Sequence, residues 1–98
     1  MIAAFRSGKT IIELAAIEPH VICLIEFLRS LGIKIDISHD HRITIEGIKH
    51  APQVAETTVI HDYIESGTFV ILGALTATPS IEIRHARIND LRFFLTKC

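Results

Sequence analysis

The sequence predicts an α/β fold, of the α+β kind, on three observations. Stretches in which every second residue is apolar, as in strands, alternate with stretches in which apolar residues recur at helical spacing. The chain also repeats itself weakly at an offset of 70 residues. Finally, 49% of its 98 residues are hydrophobic and its mean hydropathy is +0.41. This is more apolar surface than a domain of this size buries on its own.

The first part of the chain predicts a strand followed by a helix. The run Thr10–Ala16 is apolar and rich in β-branched residues, which favours a strand. Glu18 and Pro19 then indicate a helix start, because proline is tolerated in the first turn and an acid there suits the helix dipole. The helix is expected to end before Gly32, and its apolar residues are Val21, Leu24, Ile25, Leu28 and Leu31.

A β-hairpin is predicted next. Residues 33–37 and 43–46 both alternate, and the polar stretch Ser38–His41 between them indicates a turn. His39 and His41 are spaced as two zinc ligands could be, but no third ligand has a suitable spacing, so a solvated turn is the favoured interpretation. Residues 47–56, with Pro52, predict a loop, and Thr57–Ile60 predicts a short strand.

The second predicted helix, Tyr63–Thr76, is apolar on nearly every side. No charged residue occurs from Gly67 to Ala77. A helix of this kind must be enclosed all round, and the other predicted elements are too few to enclose it. Its apolar residues are Phe69, Val70, Ile71, Leu72 and Leu75.

The end of the chain repeats its beginning. Pro79 ends the second helix, Ile81–Ile83 then predicts a strand, and Asn89–Cys98 predicts a last helix. A strand and a helix follow Met1–Arg6 in the same order. Met1–Arg6 is therefore expected to be the end of a buried helix. The expected organisation is one partial domain over 1–98, with a first unit at 7–77 and the start of the next at 78–98. Such units cannot close alone, so neighbouring units or self-association are expected to cover the open helices.

The charge and cysteine content exclude several function classes. The chain has ten Lys and Arg and eleven Asp and Glu, which gives a net charge of −1. No broad basic surface is therefore expected for binding nucleic acid or an anionic membrane. The basic cluster Arg84–Arg92 is offset by Glu82 and Asp90. No apolar run reaches the roughly 20 residues that a membrane span needs, and Met1–Gly8 has no signal-peptide core. Two cysteines, Cys23 as a buried thiol and Cys98, predict no disulfide scaffold, and a cytoplasmic location is expected.

Several motifs together resemble one enzyme family. Residues 8–16, GKTIIELAA, with the Glu18-Pro19 pair, resemble the segment GTTxIENAAxEPE of the UDP-N-acetylglucosamine enolpyruvyl transferases (UDP-N-acetylglucosamine 1-carboxyvinyltransferases). Residues 58–69, TVIHDYIESGTF, are similar to that family's xVIPDRIEAGTF. The similarity covers essentially the whole chain. The related enolpyruvylshikimate-phosphate synthases share the fold, and a piece of one of them is an alternative.

The resemblance implies a portion of an inside-out α/β barrel built from βαβαββ repeats, with helices buried against a mixed sheet. It implies a transferase that moves the enolpyruvyl group of phosphoenolpyruvate to UDP-N-acetylglucosamine, the first committed step of peptidoglycan synthesis, and no cofactor. The chain would be a fragment of the first domain and inactive alone. A second alternative is a non-catalytic oligomerising or binding module of the same superfamily.

The resemblance also implies two substrate-binding residues. Glu18 matches the acid before proline and Asp62 the acid of the DRIE motif, and both are expected to face the interdomain cleft. The competing interpretation is that both only cap helices, with Glu65 completing a capping box. No catalytic residue and no metal ligand is assigned, because the family's catalytic groups match no position here. Departures from the family are His20 for an acid, His61 for proline and Tyr63 for arginine.

Overall fold

A computed structural model of the chain describes residues 1–50, 54–76 and 80–96. The polypeptide forms two compact units, Met1–Val59 and Ile60–Cys98. The first unit holds a 3₁₀ turn at Ile2–Phe5, strands β1 (Gly8–Ile12), β2 (Lys34–Ser38) and β3 (Arg42–Gly47), and helix α1 (Pro19–Ser30). The second holds helices α2 (Tyr63–Leu75) and α3 (Ile88–Leu95). Helices and strands thus combine in one small α/β fold, as predicted, while the repeat boundaries at 7–77 and 78–98 stay a prediction.

The sheet has three strands in the order β1-β3-β2, and both pairs are antiparallel. Ile45 of the central strand lies opposite Thr10 of β1 and Ile35 of β2. The predicted hairpin is therefore confirmed as β2 and β3. The mixed sheet implied by the resemblance is absent from the described residues, because the hairpin is antiparallel by construction and β1 also runs antiparallel to β3.

One face of this sheet packs against α1 and forms the core of the first unit. The side chains alternate along β2 and β3, so the isoleucines are buried while the polar residues between them are mostly exposed. Arg29 on α1 ties the helix to β2 by donating hydrogen bonds of 2.9 and 2.6 Å to the Ile35 carbonyl. The buried residues of this core are Ala4, Ala15, Ile25, Leu28, Leu31, Ile33, Ile35, Ile43 and Ile45.

Helix α1 begins and ends as its sequence predicts. Glu18 is its N-cap and Pro19 its first residue. At the other end Gly32 has a φ of +86°, which an L side chain rarely adopts. The Gly32 N–H donates to the Arg29 carbonyl at 2.9 Å and the Ile33 N–H to the Leu28 carbonyl at 3.3 Å. This pair of bonds is a Schellman motif, and it brings buried Ile33 back onto buried Leu28.

Strand β1 is shorter than predicted. It ends at Ile12 rather than Ala16, because Leu14 adopts a positive φ of 52° and turns the chain out of the sheet. The Ala15 N–H then donates a hydrogen bond to the His41 carbonyl at 2.7 Å. This N–H is therefore paired with a loop carbonyl and not with a neighbouring strand. The segment Met1–Arg6, expected as the end of a helix, forms only the short 3₁₀ turn.

Two predicted strands are not formed. Thr57–Ile60 and Ile81–Ile83 have the side-chain pattern of strands, yet neither pairs with another described segment. Alternation of apolar and polar residues specifies a strand only when a partner strand lies beside it, and the described ranges contain no such partner for either segment.

Helix α2 is nearly as long as predicted but is not enclosed by the described residues. Only Ser66 and Gly67 are buried along it, whereas Leu75 is 78% exposed. Its uncharged stretch therefore presents apolar side chains to solvent. Helix α3 begins at Ile88, one residue before the predicted start and close to the position that the 70-residue offset places opposite Pro19. The expectations for Pro52, Ala77, Pro79 and Cys98 lie outside the described residues.

The turn between β2 and β3 gives a pH-dependent prediction. The Ser38 hydroxyl hydrogen-bonds the Asp40 carboxylate, and this bond is the main cause that lowers the pKa of Asp40 below its ordinary value. Because the pKa of Asp40 is lowered in the folded state, its ionised carboxylate adds to the free energy of unfolding above the ordinary pKa. This contribution is lost as the pH falls through the lowered pKa. We expect Ser38→Ala to raise the pKa of Asp40 toward its ordinary value, measured by NMR titration of the Asp40 carboxyl carbon. The Ser30 hydroxyl donates to the Phe27 carbonyl, away from Asp40. Ser30→Ala is therefore the control and should leave the titration of Asp40 unchanged.

Candidate functional site

Glu18 lies at the N-terminus of α1, where an extended residue becomes helical. Its carbonyl accepts the N–H groups of Val21 and Ile22 at 2.9 and 3.0 Å, but its side chain makes no capping bond. The carboxylate is instead 3.6 Å from Nε2 of His20 and is 54% exposed. The predicted side-chain cap is therefore wrong for Glu18, and its carboxylate is left accessible beside an imidazole.

A cavity of about 330 Å³ opens along the same side of α1. Its lining is mostly apolar, with the His20 imidazole and the Thr57 hydroxyl as polar groups. Cys23 lines it and is half-buried, so the prediction of a buried thiol is wrong. The remaining lining residues are Leu24, Phe27 and Val59.

Asp62 lies at the N-terminus of α2 and caps it. Its carboxylate accepts hydrogen bonds from the N–H groups of Ile64 at 2.8 Å and Glu65 at 3.4 Å. The capping prediction is therefore confirmed for Asp62. Within the described residues the Glu65 carboxylate does not return a bond, so the predicted capping box is incomplete. The Ser66 hydroxyl, which donates to the Asp62 carbonyl at 2.9 Å, supports the same turn.

A second cavity, of about 220 Å³, adjoins Asp62 in the second unit. Its polar rim includes Asp62, Glu65 and Arg84, and Phe69 and Ile83 form its apolar part. His61, also in the lining, stacks on His85 with ring centroids 5.0 Å apart and an angle of 14° between the planes. Arg84 pairs with Glu82 at 3.1 Å, so its charge is partly offset.

The two predicted site residues share one kind of position, the N-terminus of a helix, but belong to different units. Each carries an exposed or partly exposed carboxylate next to a histidine, His20 beside Glu18 and His61 beside Asp62. Sequence reasoning missed the two cavities and the His61–His85 stack. His20 and His61 stand out in the sequence as departures from the family pattern at these helix starts, but nothing in the spacing of residues indicates the cavities or the stack.

The remaining candidate ligands do not assemble into a metal centre. No group of three His, Cys, Asp or Glu residues within 1–50, 54–76 and 80–96 has the geometry to hold a metal ion. His41 places Nδ1 3.3 Å from the Ala15 carbonyl, and Asp40 lies 3.5 Å from Arg42. In the basic cluster, Arg87 pairs with Asp90 at 3.1 Å, which confirms that acidic residues offset these charges. No helix in the described ranges is long and apolar enough to cross a membrane.

The cap at Asp62 can be tested by two substitutions. We expect Asp62→Ala to destabilise α2 by about 1 kcal/mol, because the Ile64 and Glu65 N–H groups lose their acceptor. Asp62→Asn should retain most of the cap, since asparagine is an equally good N-cap residue. Amide hydrogen exchange at Ile64 and Glu65 measures the difference. Equal protection in the two variants would show that the carboxylate does not cap the helix.

Comparison with known proteins identifies the family. Residues 1–97 match the family model described as EPSP synthase (3-phosphoshikimate 1-carboxyvinyltransferase). The chain is 38% identical over 97 residues to UDP-N-acetylglucosamine 1-carboxyvinyltransferase 1 of Caldanaerobacter subterraneus subsp. tengcongensis, with 99% of this chain and 23% of that protein covered. It is 43% identical over 97 residues to the protein of that name from Halalkalibacterium halodurans, covering 99% of this chain and 22% of that protein. It is 44% identical over 78 residues to the one from Clostridium perfringens, covering 80% and 18%.

The chain thus spans about a fifth of the length of these relatives. The match runs from the first residue through Asp62 to α3, so it includes both predicted site residues and agrees with the resemblance found in the motifs. The chain belongs to the EPSP synthase (3-phosphoshikimate 1-carboxyvinyltransferase) family.

Proposed function

We propose that the chain is part of an enzyme that transfers the enolpyruvyl group of phosphoenolpyruvate to UDP-N-acetylglucosamine, the first committed step of peptidoglycan synthesis in the cytoplasm. The observation that carries this proposal is the 38–44% identity to relatives named UDP-N-acetylglucosamine 1-carboxyvinyltransferase. The family match alone is compatible with a 3-phosphoshikimate acceptor, but these relatives favour the aminosugar nucleotide.

Within that enzyme we propose that Glu18 and Asp62 bind substrate. Both residues lie at helix starts, where the helix backbone fixes the position of the main chain. Asp62 is held by two N–H groups at 2.8 and 3.4 Å, while Glu18 has only the His20 imidazole at 3.6 Å. Exposed carboxylates of this kind can accept hydrogen bonds from sugar hydroxyls or pair with an arginine.

We propose that the parent fold is an inside-out barrel of βαβαββ units in which neighbouring units cover α2. Support comes from α2 itself, whose apolar residues Phe69, Ile71, Leu72 and Leu75 are all substantially exposed. An unbroken apolar helix is stable in water only when other elements surround it. The same exposure supports a second candidate, in which the chain is a non-catalytic module that oligomerises.

We propose further that the chain by itself does not turn over substrate. Addition and elimination at phosphoenolpyruvate need a proton donor, a base and several cationic phosphate ligands placed together. In the described residues the arginines near Asp62 and α3 are partly neutralised, Arg84 by Glu82 and Arg87 by Asp90.

A chimaera tests the enzymatic proposal. Residues 1–97 replace the matching segment of the Halalkalibacterium halodurans relative, and phosphate release from phosphoenolpyruvate with UDP-N-acetylglucosamine is measured. We expect turnover by the chimaera and none by the isolated chain. Asp62→Asn, which keeps the helix cap, and Glu18→Gln should each raise the KM for UDP-N-acetylglucosamine about tenfold, the effect of losing one charged hydrogen bond.

Glu26→Gln, an exposed acid on α1, is the matched control and should leave the KM unchanged. A well-folded chimaera that binds neither substrate would contradict the enzymatic proposal. A KM unaffected by both Asp62→Asn and Glu18→Gln would contradict the roles given to these two residues.

A further inference from the structure

A strained turn separates the end of β1 from Glu18. Leu14 has a φ of 52° and an exposed side chain, whereas Ala15 beside it is buried in the core. A positive φ at leucine costs free energy, so this conformation persists only where neighbouring contacts fix it. The turn matters for the candidate site because only two residues stand between Ala15 and Glu18. The contacts that hold Ala15 therefore also set where the main chain of Glu18 lies.

Ala15 forms two hydrogen bonds with one residue, His41, in the turn between β2 and β3. The Ala15 N–H donates to the His41 carbonyl at 2.7 Å, and the Ala15 carbonyl lies 3.3 Å from Nδ1 of the His41 ring. A carbonyl oxygen can only accept, so Nδ1 carries the proton in this contact. Both polar groups of the Ala15 main chain are thus paired with a residue 26 positions away in the sequence.

The backbone of His41 is unusual in the same way as that of Leu14. Its φ is 57°, in the left-handed region that histidine adopts more often than most residues. Two of the three non-glycine residues with positive φ in the described ranges are therefore brought together at this one contact. Backbone strain of this kind is concentrated at functional sites, because surrounding contacts must maintain it. The Arg42 guanidinium, 3.4 Å from the Glu13 carboxylate, joins the same two segments at the surface.

We propose that His41 is a positioning residue for the reaction: by holding Ala15, it directs the Glu18 carboxylate toward substrate. The inference rests on the proposed function, in which Glu18 binds substrate. The Glu18 side chain makes no capping bond to α1 and is 54% exposed, so its own helix does not fix it. Its contact with the His20 imidazole, at 3.6 Å, is longer than a hydrogen bond. The position of the Glu18 main chain therefore controls where the carboxylate reaches.

Two substitutions at His41 separate the side-chain hydrogen bond from the backbone conformation. Asparagine tolerates a positive φ and carries its amide nitrogen as many bonds from Cα as Nδ1 of histidine, so His41→Asn retains a donor. Glycine also adopts this φ but has no side-chain donor. His41→Gly therefore removes the bond to the Ala15 carbonyl and leaves the His41 backbone free to accept the Ala15 N–H.

The chimaera described above measures the effect of these substitutions on substrate. We expect His41→Gly to raise the KM for UDP-N-acetylglucosamine about fivefold, the effect of one uncharged hydrogen bond, and to leave kcat unchanged. His41→Asn should keep the KM of the unmodified chimaera. A merely structural role would reduce the amount of folded enzyme, which lowers the apparent kcat and not the affinity for substrate. His39→Gly, at an exposed position of the same turn, is the control and should change neither constant.

A double variant tests whether His41 acts through Glu18. If it does, adding His41→Gly to Glu18→Gln should raise the KM by less than about twofold beyond Glu18→Gln alone, because the carboxylate being positioned has already been removed. Effects of the two substitutions that multiply would show that His41 acts independently of Glu18, and the proposal would be overturned.

The contact itself is measured on the full 98-residue chain without substrate. Nitrogen NMR of the His41 ring, at a pH where the ring is neutral, should show the proton on Nδ1. A proton on Nε2 would overturn the proposal, and so would an unchanged KM in an active His41→Gly chimaera. An unmodified chimaera without turnover would contradict the proposed function and with it the role of His41. The NMR result would still show whether the ring is bonded to Ala15.

Discussion

Replacing Leu28 with alanine is expected to lower the free energy of unfolding of the first unit by about 3 kcal/mol, within the usual range for a buried leucine. Leu28 is 3% exposed on the face of α1 that packs against the sheet. Its carbonyl also accepts the Ile33 N–H at 3.3 Å, which fixes where the chain turns back into β2. Truncation removes apolar contacts and leaves a cavity next to that turn. Urea unfolding followed by far-UV circular dichroism measures the loss.

Leu24→Ala is the matched control, because the same atoms are removed one turn earlier on the same helix. Leu24 is 38% exposed and borders the open cavity beside α1, so we expect a loss of about 1 kcal/mol or less. If Leu24→Ala and Leu28→Ala cost the same, packing of α1 on the sheet would not be what stabilises this unit.

Elements that depend on local chemistry were predicted well from the sequence. Pro19 and Gly32 bound α1 because each acts through its own backbone restriction. The hairpin was also predicted, since its two strands are close in sequence and their alternation specifies which face is buried. The cap at Asp62 is also local, because the carboxylate accepts the N–H groups of residues two and three positions later in the chain.

Elements that depend on distant partners were not predicted. Thr57–Ile60 has strong strand propensity, but no strand lies beside it among the residues that the structure describes. The strand expected up to Ala16 stops where Leu14 turns out of the sheet. The same limit applies to the candidate site. The stacking of His61 on His85 joins residues separated by a helix, and no pattern of spacing in the sequence signals it.

Replacing Gly47 with alanine is expected to cost about 3 kcal/mol of unfolding free energy, as overpacking against a fixed backbone does. Gly47 ends β3 directly beneath the N-terminal 3₁₀ turn. A Cβ atom there would lie 2.1 Å from the Arg6 carbonyl oxygen and 2.3 Å from that of Ala3. Neither oxygen can rotate away, because the turn is also held by the bond of 3.0 Å from the Ile48 N–H to the carbonyl of fully buried Ala4. The substitution must therefore displace the turn from the sheet.

Gly73→Ala provides the comparison, because its added Cβ would also be close to another atom, Cγ2 of Ile81 at 2.3 Å. That contact is with a half-exposed side chain on an irregular segment, which can move, and alanine gains about 1 kcal/mol of helix propensity within α2. We therefore expect a change of less than about 1 kcal/mol for Gly73→Ala. Hydrogen exchange at the Ile48 amide distinguishes the two variants, since only Gly47→Ala should expose it. If the Ile48 amide stayed protected in Gly47→Ala and the free energy of unfolding did not change, the 3₁₀ turn would not pack closely against Gly47.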